Sequence, residues 1–170
     1  ESKLLNSADL LSTISSSMVK KLTGKTKIEI EKKLLPNWVD PNFILPKEHK
    51  KHSYLKSDKF KILYSGNIGE KQDWEFFMKF AKELEKEKDV QIIVVGNGSK
   101  RYWLEEKLLY LENIWFYNPV AYSELSDLLC SADLHILFQK VNVIDTVMPS
   151  KILAMMASEK PSLITGSLKS

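Results

Sequence analysis

Apolar and polar positions divide this chain into two unlike parts. From residue 61 onward, short apolar runs alternate with segments whose apolar residues recur at helical spacing. "KILYS" (61–65) predicts a buried strand. In the stretch that follows, Trp74, Phe77, Met78, Ala81 and Leu84 fall on one face of a helix. "VQIIVVG" (90–96) is almost wholly apolar after Gln91, the pattern of a strand covered on both faces. The alternation continues with a helix over Tyr102–Leu111, a strand at 113–117, a helix over 122–132 capped by Ser123, and a strand at 133–138. A helix over 147–161 with Pro149 in its first turn and a strand at 161–166 complete it. Strands that alternate with helices predict an α/β fold, a doubly wound parallel sheet with helices on both faces.

The first 60 residues are less regular. A short strand is expected near Leu10–Ile14, a helix capped from Ser15–Ser17, and a small strand over the alternating "KIEIE" at 27–31. Residues 35–46 carry three prolines and read as a connection. Residues 47–59 are polar and rich in lysine, the composition of a solvated linker. Six lysines between 47 and 61 also suit peripheral contact with anionic lipid, as the weaker reading.

Charge and cysteine content narrow the classes. The net charge is +3 and Arg101 is the only arginine, too weak a basic balance to argue for nucleic acid. Cys130 is alone, so an intrachain disulfide is excluded and a reducing, cytoplasmic compartment is expected. His49, His52 and His135 are too scattered for a metal site, and His135, inside an apolar strand, reads as a core residue. The chain starts at Glu1 and reads as a fragment.

In open α/β sheets, ligands bind beyond the carboxyl ends of the strands. Those ends here are Ser65–Gly66–Asn67, Gly96–Asn97–Gly98, Asn118–Pro119–Val120, Phe138–Gln139–Lys140 and Thr165–Gly166. Glycines, amides and hydroxyls dominate this rim, and Lys71 and Lys151 lie on segments suited to the same edge. Such a rim suits a diphosphate, since loop amides and ammonium groups both favour anions. Single motifs are weak. "GNIG" at 66–69 lacks the spacing of a Walker loop, and "GNGSK" is followed by Arg101 where a dinucleotide fingerprint needs glycine.

The ordered set "YSGNIGEKQ", "VVGNGSKRYWLEE", "NPVAYSELSDLLCSADL" and "VMPSKILAMMASEKP" is more specific than any member. It resembles the Rossmann-like, nucleotide-sugar-binding half of the GT-B glycosyltransferases, and most closely the family 4 retaining enzymes of the colanic-acid and N-acetylfucosamine transferase type. "SADLLSTISSSM" and "LPNWVD" resemble the end of the acceptor domain and the crossing to the donor domain. The resemblance implies that residues 1–46 close the acceptor domain and make the crossing, 47–60 form a basic linker, and 61–170 form a donor-binding domain truncated at its C-terminus. It implies a UDP-sugar as donor substrate, with no cofactor and no metal. It also implies a lipid-linked glycan acceptor held by the missing domain, and work at the inner face of a bacterial membrane in polysaccharide synthesis.

By the same resemblance, Gly66, Asn67, Ile68 and Gly69 lie under the donor diphosphate, and Lys71, Ser150 and Lys151 hold its phosphates. Gly96, Asn97 and Gly98 border the nucleoside, and Val120, Ala121 and Tyr122 read the base. No catalytic residue is assigned. The sequence departs from the family at Thr146 and Ala154, where relatives carry two acids eight residues apart; Asp145 replaces the first by a one-residue shift. Glu159 stands where glycine is usual. Two other readings stay open: a nucleotide-sugar epimerase, which needs acid–base groups at the strand ends, and a non-catalytic scaffold with the same sheet. Oligomeric state is not legible.

Overall fold

The computed structural model describes residues 1–27, 29–40, 42–140 and 150–166. Its N-terminal part holds α1 (Ser2–Leu5), β1 (Leu10–Thr13), α2 (Ser16–Lys25) and β2 (Glu31–Leu34). Ser15 caps α2 as expected, its hydroxyl accepting from the Met18 amide at 3.2 Å. The second strand lies later than the alternation at 27–31 suggests. Its place is set by parallel pairing with β1, which puts Leu10 opposite Glu31 and Thr13 opposite Leu34. Ile30, just before it, is buried.

The larger part is a five-stranded, wholly parallel sheet of β3 (Phe60–Ser65), β4 (Val90–Val95), β5 (Ile114–Tyr117), β6 (Leu134–Phe138) and β7 (Ser162–Thr165), in the order β5-β4-β3-β6-β7. Its helices are α3 (Trp74–Glu83), α4 (Arg101–Leu108), α5 (Leu125–Cys130) and α6 (Lys151–Ala157). The period of two along the strands explains the apolar runs. Ile62, Tyr64, Ile92 and Val94 face Trp74, Phe77, Ala81, Leu104 and Leu108 of α3 and α4. Leu63, Ile93 and Val95 point the other way, into a cluster with Leu128 and Leu129 of α5 and with Ile44 and Leu55. Both faces are thus covered over Ile62–Tyr64 and Ile92–Val95, and every one of those positions is apolar or aromatic.

Two local expectations change. Tyr122–Glu124 forms a 3₁₀ turn and α5 starts only at Leu125, so Ser123 is not a cap. Instead the Glu124 carboxylate accepts from the Ala121 amide at 3.3 Å. Residues 47–59 are not a solvated linker. The amides of Leu45, Lys50 and His52 donate to Ser126 Oγ, Asp127 Oδ1 and Ser131 Oγ at 2.8–2.9 Å, fastening the segment along α5. Leu55 is fully buried, and Tyr54 stacks on Tyr117 with centroids 4.1 Å apart. Pro149, Thr146 and Asp145 lie outside the described residues. His135 is a core residue: it is fully buried, its Nε2 lies 3.0 Å from Ser158 Oγ, and burial lowers its pKa to about 4.

The end of α6 explains the glycine expected at 159. Ser158 closes the helix and the next residue turns left-handed, with Glu159 at φ 57°. A Cβ in that region costs roughly 1–2 kcal/mol, partly offset by the greater freedom glycine has when unfolded. Glu159→Gly is therefore expected to stabilise the chain by about 1 kcal/mol, read as a higher urea midpoint at unchanged slope.

Candidate functional site

The strand order reverses about β3, and the loops leaving β3 and β4 meet at the carboxyl edge of the sheet. Their meeting is sterically demanding. A Cβ on Gly96 would lie 1.9 Å from the Gly66 carbonyl oxygen, and one on Gly98 2.4 Å from that of Ile68. With hydrogen at both positions the backbones touch and bond. The Ile68 amide donates to the Asn97 carbonyl at 2.8 Å, and the Lys100 amide donates to the Ile68 carbonyl at 2.9 Å. Gly66, at φ 126°, makes the turn out of β3 while its amide still donates to Val95.

Two aromatic residues hold the far end of the first turn. The indole N–H of Trp74 donates to the Gly69 carbonyl at 2.6 Å, and the Tyr64 hydroxyl donates to the Asn67 carbonyl at 2.7 Å. The second turn is held by Arg101. Its Nη1 donates to the carbonyls of Gly96 at 2.5 Å and Tyr117 at 2.7 Å, bridging the ends of β4 and β5. Nε and Nη2 pair with Glu105 at 2.7 and 2.6 Å. A fork of donors serves three oxygens at once, which an ammonium group does not reproduce. Sequence reading treats Arg101 only as a break in a glycine motif; its being the sole arginine, at a helix start beside that motif, is the signal that marks it.

Between the turns lies a cleft of about 330 Å³, lined by Ser65, Gly66, Asn67, Val95, Gly96, Asn97, Pro119, Val120, Leu125 and Leu128. Of the expected site residues it gathers Gly66, Asn67, Gly96, Asn97 and Val120. The amides of Asn67 and Asn97 make no hydrogen bond among the described residues, whereas those of Gly66, Ile68, Gly69, Gly96 and Gly98 all donate within the protein. Ile68 is fully buried, with amide and carbonyl both engaged, and Gly69 is buried with its amide on Gln72 Oε1. These two shape the turn, and their own amides are engaged within the protein. Gly98 underlies Ile68 in the same way and does not line the cleft.

Lys151, at the start of α6, does not line this cleft but meets the Gly66 turn that does. Its Nζ donates to the Tyr64 hydroxyl at 3.0 Å and lies 4.2 Å from the centre of that ring. A Cβ on Gly66 would meet this Nζ at 3.0 Å. No carboxylate pairs with Lys151 among the described residues, and burial lowers its pKa to about 8. Lys71 is exposed on the turn before α3, and its carbonyl accepts from Lys140 past the end of β6. Ser150 lines a neighbouring hollow of about 300 Å³ with Trp38, Asp40, Phe43, Tyr122 and Ala154, which adjoins the cleft at Leu125. Tyr122 stacks on Phe43 there at 3.9 Å, and Ala121 lines neither space.

No group of three or more metal-ligating side chains occurs among the described residues, and no described helix is long and apolar enough to cross a membrane.

Comparison with known proteins places these features in a wider set. A family profile described as "Glycosyl transferases group 1" matches residues 59–169. A protein of Escherichia coli K12, provisionally named as the colanic acid biosynthesis glycosyl transferase WcaI, is 33% identical over 172 aligned residues, covering 95% of this chain and 41% of the relative. Among solved structures, Anabaena HepE in complex with UDP-glucose matches with a TM-score of 0.68 at 18% identity, over 95% of this chain and 46% of HepE. TarM of S. aureus, solved with UDP among its ligands, matches with a TM-score of 0.70 at 14% identity, over 96% of this chain and 31% of TarM. The chain spans less than half the length of each of these proteins.

Two outcomes follow from the geometry. Gly96→Ala drives a methyl group into the Gly66 carbonyl and is expected to cost about 3 kcal/mol or more, visible as a lower thermal midpoint and faster exchange of the Ile68 amide. Lys151→Met removes a half-buried, desolvated cation and is expected to stabilise the fold at pH 7. Because the lysine binds fewer protons folded than unfolded between pH about 8 and 10.5, wild-type stability rises across that window. The advantage of the methionine variant is largest below pH 8 and fades towards 10.5 in urea titrations run at several pH values.

Proposed function

The chain belongs to the group 1 glycosyl transferases and has the GT-B type of α/β fold, and from that premise we propose that its cleft holds the donor of the transfer, a UDP-sugar. The observation that carries the reading is the meeting of Lys151 Nζ with the Gly66 turn beside two unengaged amides. That HepE was solved with UDP-glucose and TarM with UDP supports the choice of nucleotide.

In this reading the nucleoside lies against the apolar floor of Val95, Pro119, Val120, Leu125 and Leu128. The diphosphate faces the amides of Asn67 and Asn97 and the ammonium of Lys151. Lys71, free of other partners among the described residues, swings to the phosphates from the exposed side, and Ser150 faces the sugar end from the adjoining hollow. Breaking the bond between the sugar and the diphosphate builds negative charge on the departing phosphate. Fixed amides and a cation drawn out of water stabilise that charge more than they stabilise the neutral glycosyl bond. No metal is invoked for this step.

The full-length protein passes the sugar, with retention, to a lipid-linked glycan carried by a second domain at the cytoplasmic face of the membrane. The name of the colanic acid relative supports a role in polysaccharide synthesis. The present chain alone binds nucleotide and transfers nothing. Calorimetric titration with UDP, ADP and flavin mononucleotide tests the reading. UDP alone is expected to bind, and Lys151→Ala or Lys71→Ala to weaken it about tenfold or more, the scale of a lost charge-assisted hydrogen bond. Equal indifference to all three nucleotides would leave only a scaffold.

A further inference from the structure

The contact that fixes Lys151 does not come from an acid. It comes from Tyr64, a fully buried residue of β3 set edge-on against Trp74 with ring centroids 5.1 Å apart. The single phenolic proton of Tyr64 is committed to the Asn67 carbonyl, so the oxygen has only lone pairs left to offer Lys151. One oxygen therefore ties the cation to the turn whose next amide, that of Asn67, is unengaged. We propose, resting on the donor-site reading of this cleft, that Tyr64 is a positioning residue: its hydroxyl sets the place of the Lys151 ammonium relative to the Asn67 amide, so that the two act as one diphosphate receptor.

The ring alone does not do this. Its face attracts a cation without fixing direction, whereas the hydroxyl is an acceptor held by a second bond. Tyr64 is the titratable group that touches Lys151 among the described residues; Gly66, facing it from the turn, is uncharged. Burial raises the Tyr64 phenol, so it stays protonated while Lys151 titrates near pH 8. Removing the acceptor favours the neutral amine and moves that titration to lower pH.

The test is UDP affinity by calorimetry from pH 7 to 8.5, above the last phosphate ionisation at about 6 and below that of the uracil imide, with uridine as the phosphate-free control. All chains carry Glu159→Gly, so that relief at the end of α6 offsets the hydrogen bonds lost in Tyr64→Phe. The wild-type site is expected to lose UDP affinity as pH rises through about 8, with uridine affinity flat. Tyr64→Phe is expected to weaken UDP about tenfold at pH 7.5 and to bring the decline to lower pH. Added to Lys151→Met, it should change nothing further. An equal loss at every pH with the decline unmoved, or the same loss in the Lys151→Met chain, would make Tyr64 a packing residue only and overturn the proposal. Failure of the unmodified site to bind UDP at all would instead remove the donor-site reading beneath it.

Discussion

Everything at this edge of the sheet depends on a gap one hydrogen atom wide. The loops after β3 and β4 run against each other because positions 96 and 98 have no side chain, and the Gly66 and Ile68 carbonyls occupy the space a Cβ would take. The contact is reinforced by the Ile68–Asn97 and Lys100–Ile68 hydrogen bonds. With both turns immobilised, the Asn67 and Asn97 amides are held in place before any ligand arrives. A loose pair of loops has to lose that freedom on binding. Trp74, Tyr64 and Arg101 serve the same end, each giving a donor to a carbonyl of the turns or of the strand beside them.

Against this rigid frame the lysine is an expense. A pKa lowered from 10.5 to about 8 corresponds to something on the order of 3 kcal/mol set against folding at neutral pH. The donor-site reading gives that cost a use, because a desolvated ammonium attracts a phosphate more strongly than one in water. The left-handed Glu159 at the other end of the same helix is a second local cost. Unlike the lysine, which meets the Gly66 turn, it lies away from the loops that line the cleft.

The sequence displays the sheet well, for a physical reason. Strands buried on both faces leave short, β-branched apolar runs such as Ile92–Val95 closed by a glycine, and α3 shows its buried Trp74, Phe77 and Ala81 in helical spacing. The rim was legible as far as Gly66, Asn67, Gly96, Asn97 and Val120, since loop glycines and amides at strand ends announce themselves. What stayed hidden depends on residues far apart in the chain. Nothing near Ile68 reveals that Asn97 takes its amide. Nothing near His52 reveals that Ser131 waits for it, so a stretch full of lysines looks solvated while Tyr54 and Leu55 are packed away. Local alternation likewise misplaced β2, because its register belongs to β1.

The environment of Lys151 also gives it a second chemical character. An amine that is substantially unprotonated a little above neutrality is a nucleophile, while an ordinary lysine on the outside of the chain remains almost entirely ammonium. The free amine that this burial favours is the form that acylation or condensation with an aldehyde requires.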